Sequence, residues 1–332
     1  MGASNMGEVL PVSFRNQSGL MLFGSLHLPE TSPPPIHQKD LPVVVLLSPG
    51  VKMRVGPGRL YVPLTELLNS QGFRVLRFDF FGLGDSEGDL AETVLADVYN
   101  NIEVGRYVDD TLAALNWLSA EHGAKRFVLG GLCGGAITAI LAAERDARVD
   151  SLLSIGMTVT LASNAAKPGQ YLTRAQLDDR RRRYLLKMLK PDAWLRFLTF
   201  RSEYDVIWKS MKRAFIKEKR VVAAPVAINA PGAPGGPAAP VEQRGNANPL
   251  FPKAYFTFLA RGGKALMLFS ERDRLQSEYE EKFAQPYAAQ LAPHAAQIEQ
   301  HVIPHANHVL SFREWQEQML GLSRAWLAKL YA

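Results

Sequence analysis

Short apolar runs alternate with amphipathic segments along most of this chain. Runs such as 42–47 and 149–155 are apolar almost throughout, which is typical of strands buried on both faces of a parallel sheet. Segments such as 104–122 carry apolar residues at helical spacing. The pattern predicts strands at 9–15, 20–28, 42–47, 73–79, from 127, at 149–155, 264–269 and 298–303, and helices at 60–70, 104–122, 137–143, 251–261 and 312–330.

The order of these elements predicts an α/β fold. Alternation of strands and helices indicates a mostly parallel, eight-stranded sheet flanked by helices. The alternation stops after the sixth strand, where 162–261 is helical, aromatic and basic in composition and contains an Ala/Pro/Gly-rich loop at about 223–249. That loop has too little apolar surface to offset its ordering entropy, so we expect disorder there. The predicted domains are a core formed by 1–161 and 262–332 and a mobile helical cap formed by 162–261.

A glycine-lined turn joins the fifth predicted strand to the helix that follows it. The turn reads Gly131-Leu132-Cys133-Gly134-Gly135. A residue held in a strained turn between a strand and a helix leaves no room for a Cβ two positions away, which explains the glycines at 131 and 135. The helix N-terminus also favours an anion such as a thiolate. A lone cysteine is often a small buried apolar residue, but this spacing indicates that Cys133 is a nucleophile.

Composition narrows the class of protein. The chain has 332 residues, and its single cysteine rules out an intrachain disulfide. Its first residues lack the features of a secretory signal, and no apolar run approaches the roughly 18 residues of a membrane helix. We therefore expect a cytoplasmic protein that does not insert into a membrane. The seven histidines and one cysteine show no zinc-ligand spacing, so no metal is expected.

The positive charge is concentrated in one segment. The chain has a net charge of +6, and 174–220 alone holds 15 Lys and Arg against 6 Asp and Glu. A run of four arginines at 180–183 is the only support for a nucleic-acid module, and a charge run on a helix is usually a solvated face. We therefore predict no nucleic-acid partner. The basic segment, with Arg54 as a candidate substrate-binding residue, would instead attract an anionic or carrier-bound substrate.

Two late strands end in groups that could serve Cys133. The strand at 264–269 is followed by a turn with Glu271 and Asp273, and the strand at 298–303 is followed by His305 and His308. Nucleophile, acid and histidine in this order match a known triad order. We favour Asp273 over Glu271 because it lies further into the loop and has the shorter, stiffer side chain. We favour His308 over His305, and each alternative has the ordinary role of a surface residue.

Several motifs resemble the α/β-hydrolase superfamily across nearly the whole chain. The run Phe78-Asp79-x-x-Gly82-x-Gly84-x-Ser86, together with His308, resembles the serine-aminopeptidase-like branch, with a cysteine as the nucleophile here. Within that branch, Arg54-Val55-Gly56, Arg77-Phe78-Asp79 with Gly82-x-Gly84-Asp85-Ser86-Glu87-Gly88, and Gly131-Leu132-Cys133 resemble the hydrolases associated with exosortase A systems of bacteria.

The resemblance and the local chemistry imply the same roles. His308 takes the thiol proton, Asp273 orients the imidazole, and Cys133 attacks an acyl carbon. The N–H groups of Gly134 and Val51 hold the oxyanion. No cofactor is needed.

Sulfur in place of oxygen narrows the substrate to small-molecule acyl esters and thioesters. A thiolate is a better leaving group than an alkoxide, so the intermediate on Cys133 collapses forward only when the other leaving group is also good. The expected function is an esterase or thioesterase with a covalent acyl-enzyme. Two alternatives stay open: an acyltransferase that uses the same acyl-enzyme, and a binding protein that kept the fold without turnover.

Overall fold

The structure is a computed structural model that describes residues 7–29, 41–161 and 246–331. Eight strands form one sheet in the order β1-β2-β4-β3-β5-β6-β7-β8. Strand β2 is antiparallel to β1 and β4, and all other neighbouring strands are parallel. The predicted eight-stranded, mostly parallel sheet is therefore confirmed. The strands are β1 (Val9–Arg15), β2 (Met21–His27), β3 (Val43–Leu47), β4 (Val75–Phe78), β5 (Phe127–Leu132), β6 (Val149–Ile155), β7 (Lys264–Ser270) and β8 (Ile298–Ile303).

Helices cover both faces of the sheet. Successive residues of a strand point to opposite faces, so the buried strand β3 gives Val43, Val45 and Leu47 to one apolar cluster and Val44 and Leu46 to the other. The helices of the described residues, numbered in chain order, are α1 (Tyr61–Ser70), α2 (Leu95–Glu103), α3 (Val108–His122), α4 (Gly134–Arg145), α5 (Phe251–Ala260), α6 (Leu275–Tyr279), α7 (Ala288–Leu291) and α8 (Arg313–Tyr331).

Each helix layer has its own core. Buried residues of α3, α4 and α5 share a cluster with Phe78 and Phe127, whereas those of α1 and α8 share the other cluster with Val75 and Val128. A mostly parallel sheet is buried on both faces, so it needs an apolar core on each side. The carboxyl ends of β3, β5, β6, β7 and β8 lie along one edge of the sheet, where ligands bind in open α/β folds.

The helices differ from the prediction in several places, and the short α6 and α7 were not predicted. The single helix expected at 104–122 begins only at Val108, and α2 precedes it without having been predicted. The break is at Gly105, whose φ of 105° lies outside the helical region. Helix α5, which we assigned to the end of the cap, belongs to the same apolar cluster as α4.

Most of the predicted cap (162–261) and of its Ala/Pro-rich loop (about 223–249) falls on residues 162–245, outside the described residues. In the part of the chain that the structure describes, no helix has the length and hydropathy to cross a bilayer.

Candidate active site

Cys133 lies between β5 and α4 in a backbone conformation that is unusual for a residue with a side chain. Its φ and ψ are 52° and −109°. Its N–H donates to the carbonyl of Ile155 at 2.9 Å, and its own carbonyl accepts from the N–H groups of Ala136 and Ile137 at 2.9 and 3.1 Å. Such strain costs on the order of 1–3 kcal/mol and persists where surrounding bonds fix it, often at functional sites. The turn leaves the Cys133 side chain partly exposed.

The two glycines that flank Cys133 are required by contact. A Cβ at Gly131 would lie 2.5 Å from the carbonyl carbon of Gly135, and a Cβ at Gly135 would lie 2.4 Å from the carbonyl oxygen of Leu47. Both distances are below any tolerable contact. The turn can therefore close only with glycine at both positions, as the sequence spacing predicts.

The Tyr61 side chain holds the turn at Cys133 in place through two hydrogen bonds. The sequence patterns did not identify this residue. Its buried hydroxyl donates to the carbonyl of Leu47 at 2.9 Å and accepts from the N–H of Leu132 at 2.7 Å. The hydroxyl thereby joins the ends of β3 and β5 one residue before Cys133. Burial raises the pKa of Tyr61 well above its usual value, so it stays a neutral donor.

His308 and Asp273 meet at the carboxyl edge of the sheet. Nδ1 of His308 donates to Oδ2 of Asp273 at 2.5 Å. The Asp273 side chain is 12% exposed and the His308 side chain 38% exposed. The Cys133 side chain also acts on the pKa of His308, so the two side chains are close enough to interact. The structure therefore brings Cys133, His308 and Asp273 together.

The alternative acid and histidine form a separate pair. Oε2 of Glu271 accepts from the backbone N–H of His305 at 2.6 Å and lies 3.2 Å from its Nδ1. These side chains are 52% and 72% exposed. Glu271 thus pairs with His305, on the same two loops but nearer to solvent.

The partners of His308 favour its protonated form. The hydrogen bond to Asp273, followed by that to Cys133, raises the pKa of His308 from 6.5 to about 10, although burial acts in the opposite direction. His308 therefore carries a positive charge at neutral pH in this arrangement. A cationic imidazole at this place can give its proton to a departing group.

The turn after β3 packs against the start of α4. A Cβ at Gly134 would lie 2.8 Å from the backbone nitrogen of Gly50, so only glycine permits this approach. Among the described residues, no backbone carbonyl accepts from the N–H groups of Gly134 or Val51. The first N–H groups of a helix have no partner within it. Both N–H groups are therefore available beside Cys133.

Helix α2, which the sequence patterns did not predict, covers this pair of turns. The ring of Tyr99 lies 2.8 Å from the position of a Cβ on Gly50, and Ile102 lies 3.1 Å from that on Gly134. Burial raises the pKa of Tyr99, with a further contribution from the charge on Cys133. Residues three apart on a helix share one face, and α2 carries further apolar residues at helical spacing, which is the signal that could have revealed it.

Arg54 is held by two carboxylates. Its guanidinium pairs with Asp79 and, at 2.7 Å, with Asp85. Burial alone would lower the pKa of Arg54, but its hydrogen bonds to Asp85 and Asp79 raise it above the ordinary value. The structure thus gives Arg54 partners within the protein, whereas we predicted a role in binding substrate. In the described ranges no group of three or more His, Cys, Asp and Glu could hold a metal ion.

The fold, the strained turn at Cys133 and the order of the loops that carry Cys133, Asp273 and His308 are those of a hydrolase. Comparison with known proteins leads to the same class. Residues 44–319 match the model of the alpha/beta hydrolase family. The chain belongs to this family of hydrolase enzymes, as the motifs predicted. No curated protein matches the chain.

Solved structures share the fold at low sequence identity. The Pyrococcus furiosus esterase Pf2001 is 16% identical with a TM-score of 0.55, and the match covers 98% of this chain and 94% of that one. The esterase domain of a Rhodothermus marinus protein is 15% identical with a TM-score of 0.50, covering 97% and 99%. Proline iminopeptidase of Mycobacterium smegmatis is 17% identical with a TM-score of 0.52, also covering 97% and 99%.

Proposed function

We propose that this hydrolase is an esterase or thioesterase that acts through Cys133, His308 and Asp273 and forms a covalent acyl-enzyme. The observation that carries the proposal is the 2.5 Å hydrogen bond between His308 and Asp273, beside a cysteine held on a positive-φ turn. An acid on one ring nitrogen fixes the histidine tautomer and supports its charged form. Two of the structures with this fold carry the name esterase, which supports the reaction class.

In the first half-reaction, Sγ of Cys133 attacks the acyl carbon of the substrate. A carbon–sulfur bond forms, and one electron pair of the carbonyl moves to its oxygen. When the carbonyl reforms, the bond to the leaving group breaks, and His308 donates its proton to the departing alkoxide or thiolate. The Asp273 carboxylate keeps Nδ1 protonated, which leaves Nε2 for the proton that moves.

The developing oxyanion would accept hydrogen bonds from the N–H groups of Gly134 and Val51. Support comes from the close approach of Gly50 to the start of α4 and from the free N–H groups there. Donors fixed in advance at the place where charge develops lower the barrier, and removal of one such donor typically costs about 10²–10³ in kcat.

In the second half-reaction, water attacks the thioester formed on Cys133. His308 takes a proton from the water, the carbon–sulfur bond breaks, and the proton returns to Cys133 or stays on His308. The sulfur leaves readily at this step. The same property disfavours amides in the first step, so the proposed substrates are small-molecule esters and thioesters with good leaving groups.

An acyltransferase is the second candidate, and the sulfur at position 133 is the observation that favours it. A thioester passes its acyl group to an amine or alcohol as readily as to water. Product partitioning separates the two functions: hydrolysis yields only the free acid when an alcohol or amine is added, whereas transfer yields the new ester or amide in proportion to the acceptor.

The cap predicted at 162–261 and the subgroup of the family are proposed from the sequence alone. We propose that this segment forms a cap whose basic excess attracts an anionic or carrier-bound ester, and that the chain resembles the exosortase A-associated hydrolases in its motifs. Rising salt should then raise KM for an acidic ester more than for a neutral one.

Cys133→Ala tests the proposed function. With a chromogenic short-chain ester and a panel of acyl thioesters, the variant should lose activity by several orders of magnitude while it keeps its circular dichroism spectrum and melting temperature. Near-normal turnover by Cys133→Ala would rule out the acyl-enzyme. Lack of turnover by the wild type on every substrate would favour the binding protein instead.

A further inference from the structure

Arg54 lies on the turn after β3, three residues beyond Val51, and Asp79 binds both its backbone and its side chain. The backbone N–H of Arg54 donates to Oδ1 of Asp79 at 2.6 Å, and its guanidinium pairs with Oδ2. The Asp79 side chain is fully buried, while that of Arg54 is 22% exposed. A buried carboxylate is stable only when its oxygens are paired, so Asp79 fixes the place of Arg54.

The turn after β4 closes around the same carboxylate. The N–H of Asp85 donates to Oδ2 of Asp79 at 3.3 Å, and the Asp85 carboxylate pairs with Arg54 at 2.7 Å. A Cβ at Gly84 would lie 2.2 Å from Oδ2 of Asp79, so glycine lets this turn approach the carboxylate. Arg54, Asp79 and Asp85 form what we call the arginine clamp, which ties two turns together.

The arginine clamp continues into the turn that carries Val51. The N–H of Lys52 donates to the carbonyl of Pro49 at 3.1 Å, and that of Gly56 donates to the carbonyl of Met53 at 2.9 Å. The turn between β3 and Gly56 therefore has internal backbone hydrogen bonds before and after Arg54. A displacement of Arg54 would be passed along this short backbone to Val51.

We propose that Arg54 is a positioning residue for the oxyanion-binding N–H of Val51, and not a group that binds an anionic substrate; the inference rests on the proposed function. Two carboxylates already pair with the one guanidinium, so few of its N–H groups are left for an anionic substrate. A misplacement of about 1 Å at a catalytic group costs about 10²-fold in rate.

The test compares Arg54→Gln with Arg59→Gln, a matched change at an exposed arginine of the same loop. On a short neutral ester, Arg54→Gln should lower kcat about 10–100-fold and change KM less than about threefold, since only the transition state gains from the Val51 N–H. Alkylation of Cys133 by iodoacetamide forms no oxyanion, so its rate constant should stay within about twofold of wild type. Arg59→Gln should leave all three quantities unchanged.

Added guanidinium supplies a second readout. Arg54→Ala should regain part of its kcat with guanidinium ion, which can occupy the space between Asp79 and Asp85, and Arg59→Ala should gain nothing.

Three results would overturn the inference: unchanged kcat in Arg54→Gln, a raised KM confined to an acidic ester, or an equal fall in the alkylation rate. Failure of the proposed function gives a different result, because iodoacetamide would then leave wild-type turnover intact.

Discussion

Asp273 and His308 are 35 positions apart in the chain, yet the carboxylate of one lies 2.5 Å from Nδ1 of the other. The same two loops hold a second acid and histidine, Glu271 and His305, as an exposed pair. Substitutions in the exposed pair therefore serve as controls for substitutions in the Asp273–His308 pair. The first pair interacts with Cys133, which contributes to the raised pKa of His308.

The first prediction concerns the two acids. Asp273→Asn should keep the fold but lower kcat by about 10²–10⁴-fold, because the amide can donate to Nδ1 and stabilise the wrong tautomer of His308. Glu271→Gln should change kcat less than about threefold, since its pair is exposed. Steady-state kinetics on one ester measures both. The reverse ranking would assign the acid to Glu271.

The second prediction concerns the protonation of His308. Its pKa is raised from 6.5 to about 10, so its charged form stabilises the folded protein fully below about pH 6.5, and this contribution is lost as the pH rises towards 10. The excess stability of the wild type over His308→Gln should therefore shrink across that interval. Urea titrations at several pH values measure it.

Ring resonances provide the matching control for this pH dependence. In nuclear magnetic resonance spectra, His308 should titrate far above 6.5 in the wild type and at a lower pH in Asp273→Asn and in Cys133→Ala, because each variant removes a partner that raises its pKa. A wild-type titration near 6.5 would contradict the assigned contacts.

The third prediction concerns the glycines of the turn at Cys133. Gly131→Ala should destabilise the protein by about 1–3 kcal/mol or more, because its Cβ would lie 2.5 Å from backbone that cannot move freely. Gly321→Ala is the matched control: it lies within α8 with no atom near its Cβ position, and it should be neutral or stabilising by up to about 1 kcal/mol. Urea denaturation measures both. Equal stability of the two variants would show that the backbone of the turn can move far enough to admit a Cβ at position 131.

The fourth prediction concerns Tyr61. Tyr61→Phe removes the hydroxyl that pairs with Leu47 and Leu132, and leaves a buried N–H without a partner. We expect a loss of about 1–3 kcal/mol in the free energy of unfolding. Because Leu132 precedes Cys133, the esterase activity should fall as well. A variant as stable and active as the wild type would mean that another group replaces the hydroxyl.

The sequence patterns predicted the strands and the turn at Cys133 because these depend on local composition. Buried strands are continuous apolar runs, and Gly131 meets Gly135 within the turn itself, although the contacts that require Gly134 and Gly135 are made with the end of β3 and the turn after it. The order of Cys133, Asp273 and His308 placed three chemical groups after β5, β7 and β8, and parallel strands bring such ends to one edge. Local signals therefore sufficed for the core of the candidate site.

Other features of the site depend on contacts that no local pattern records. Tyr61 bonds to β5 through a gap of 71 positions, and Arg54 bonds to Asp79 across 25. Helix α2 is short, and its contacts with Gly50 and Gly134 arise only when the helix meets the turns after β3 and β5. Arg54 illustrates the consequence: its charge indicates substrate binding in the sequence, and its two carboxylate partners are visible only in the folded chain.

The acyl-enzyme is the central claim, and intact-protein mass spectrometry tests it most directly. A short burst with an activated ester, quenched in acid, should add one acyl mass per chain, and peptide mapping should place it on Cys133. The adduct should be absent from Cys133→Ala and should accumulate in His308→Gln only slowly, because the base is missing. Steady turnover with no adduct on wild-type Cys133, or an equal adduct on Cys133→Ala, would contradict the account.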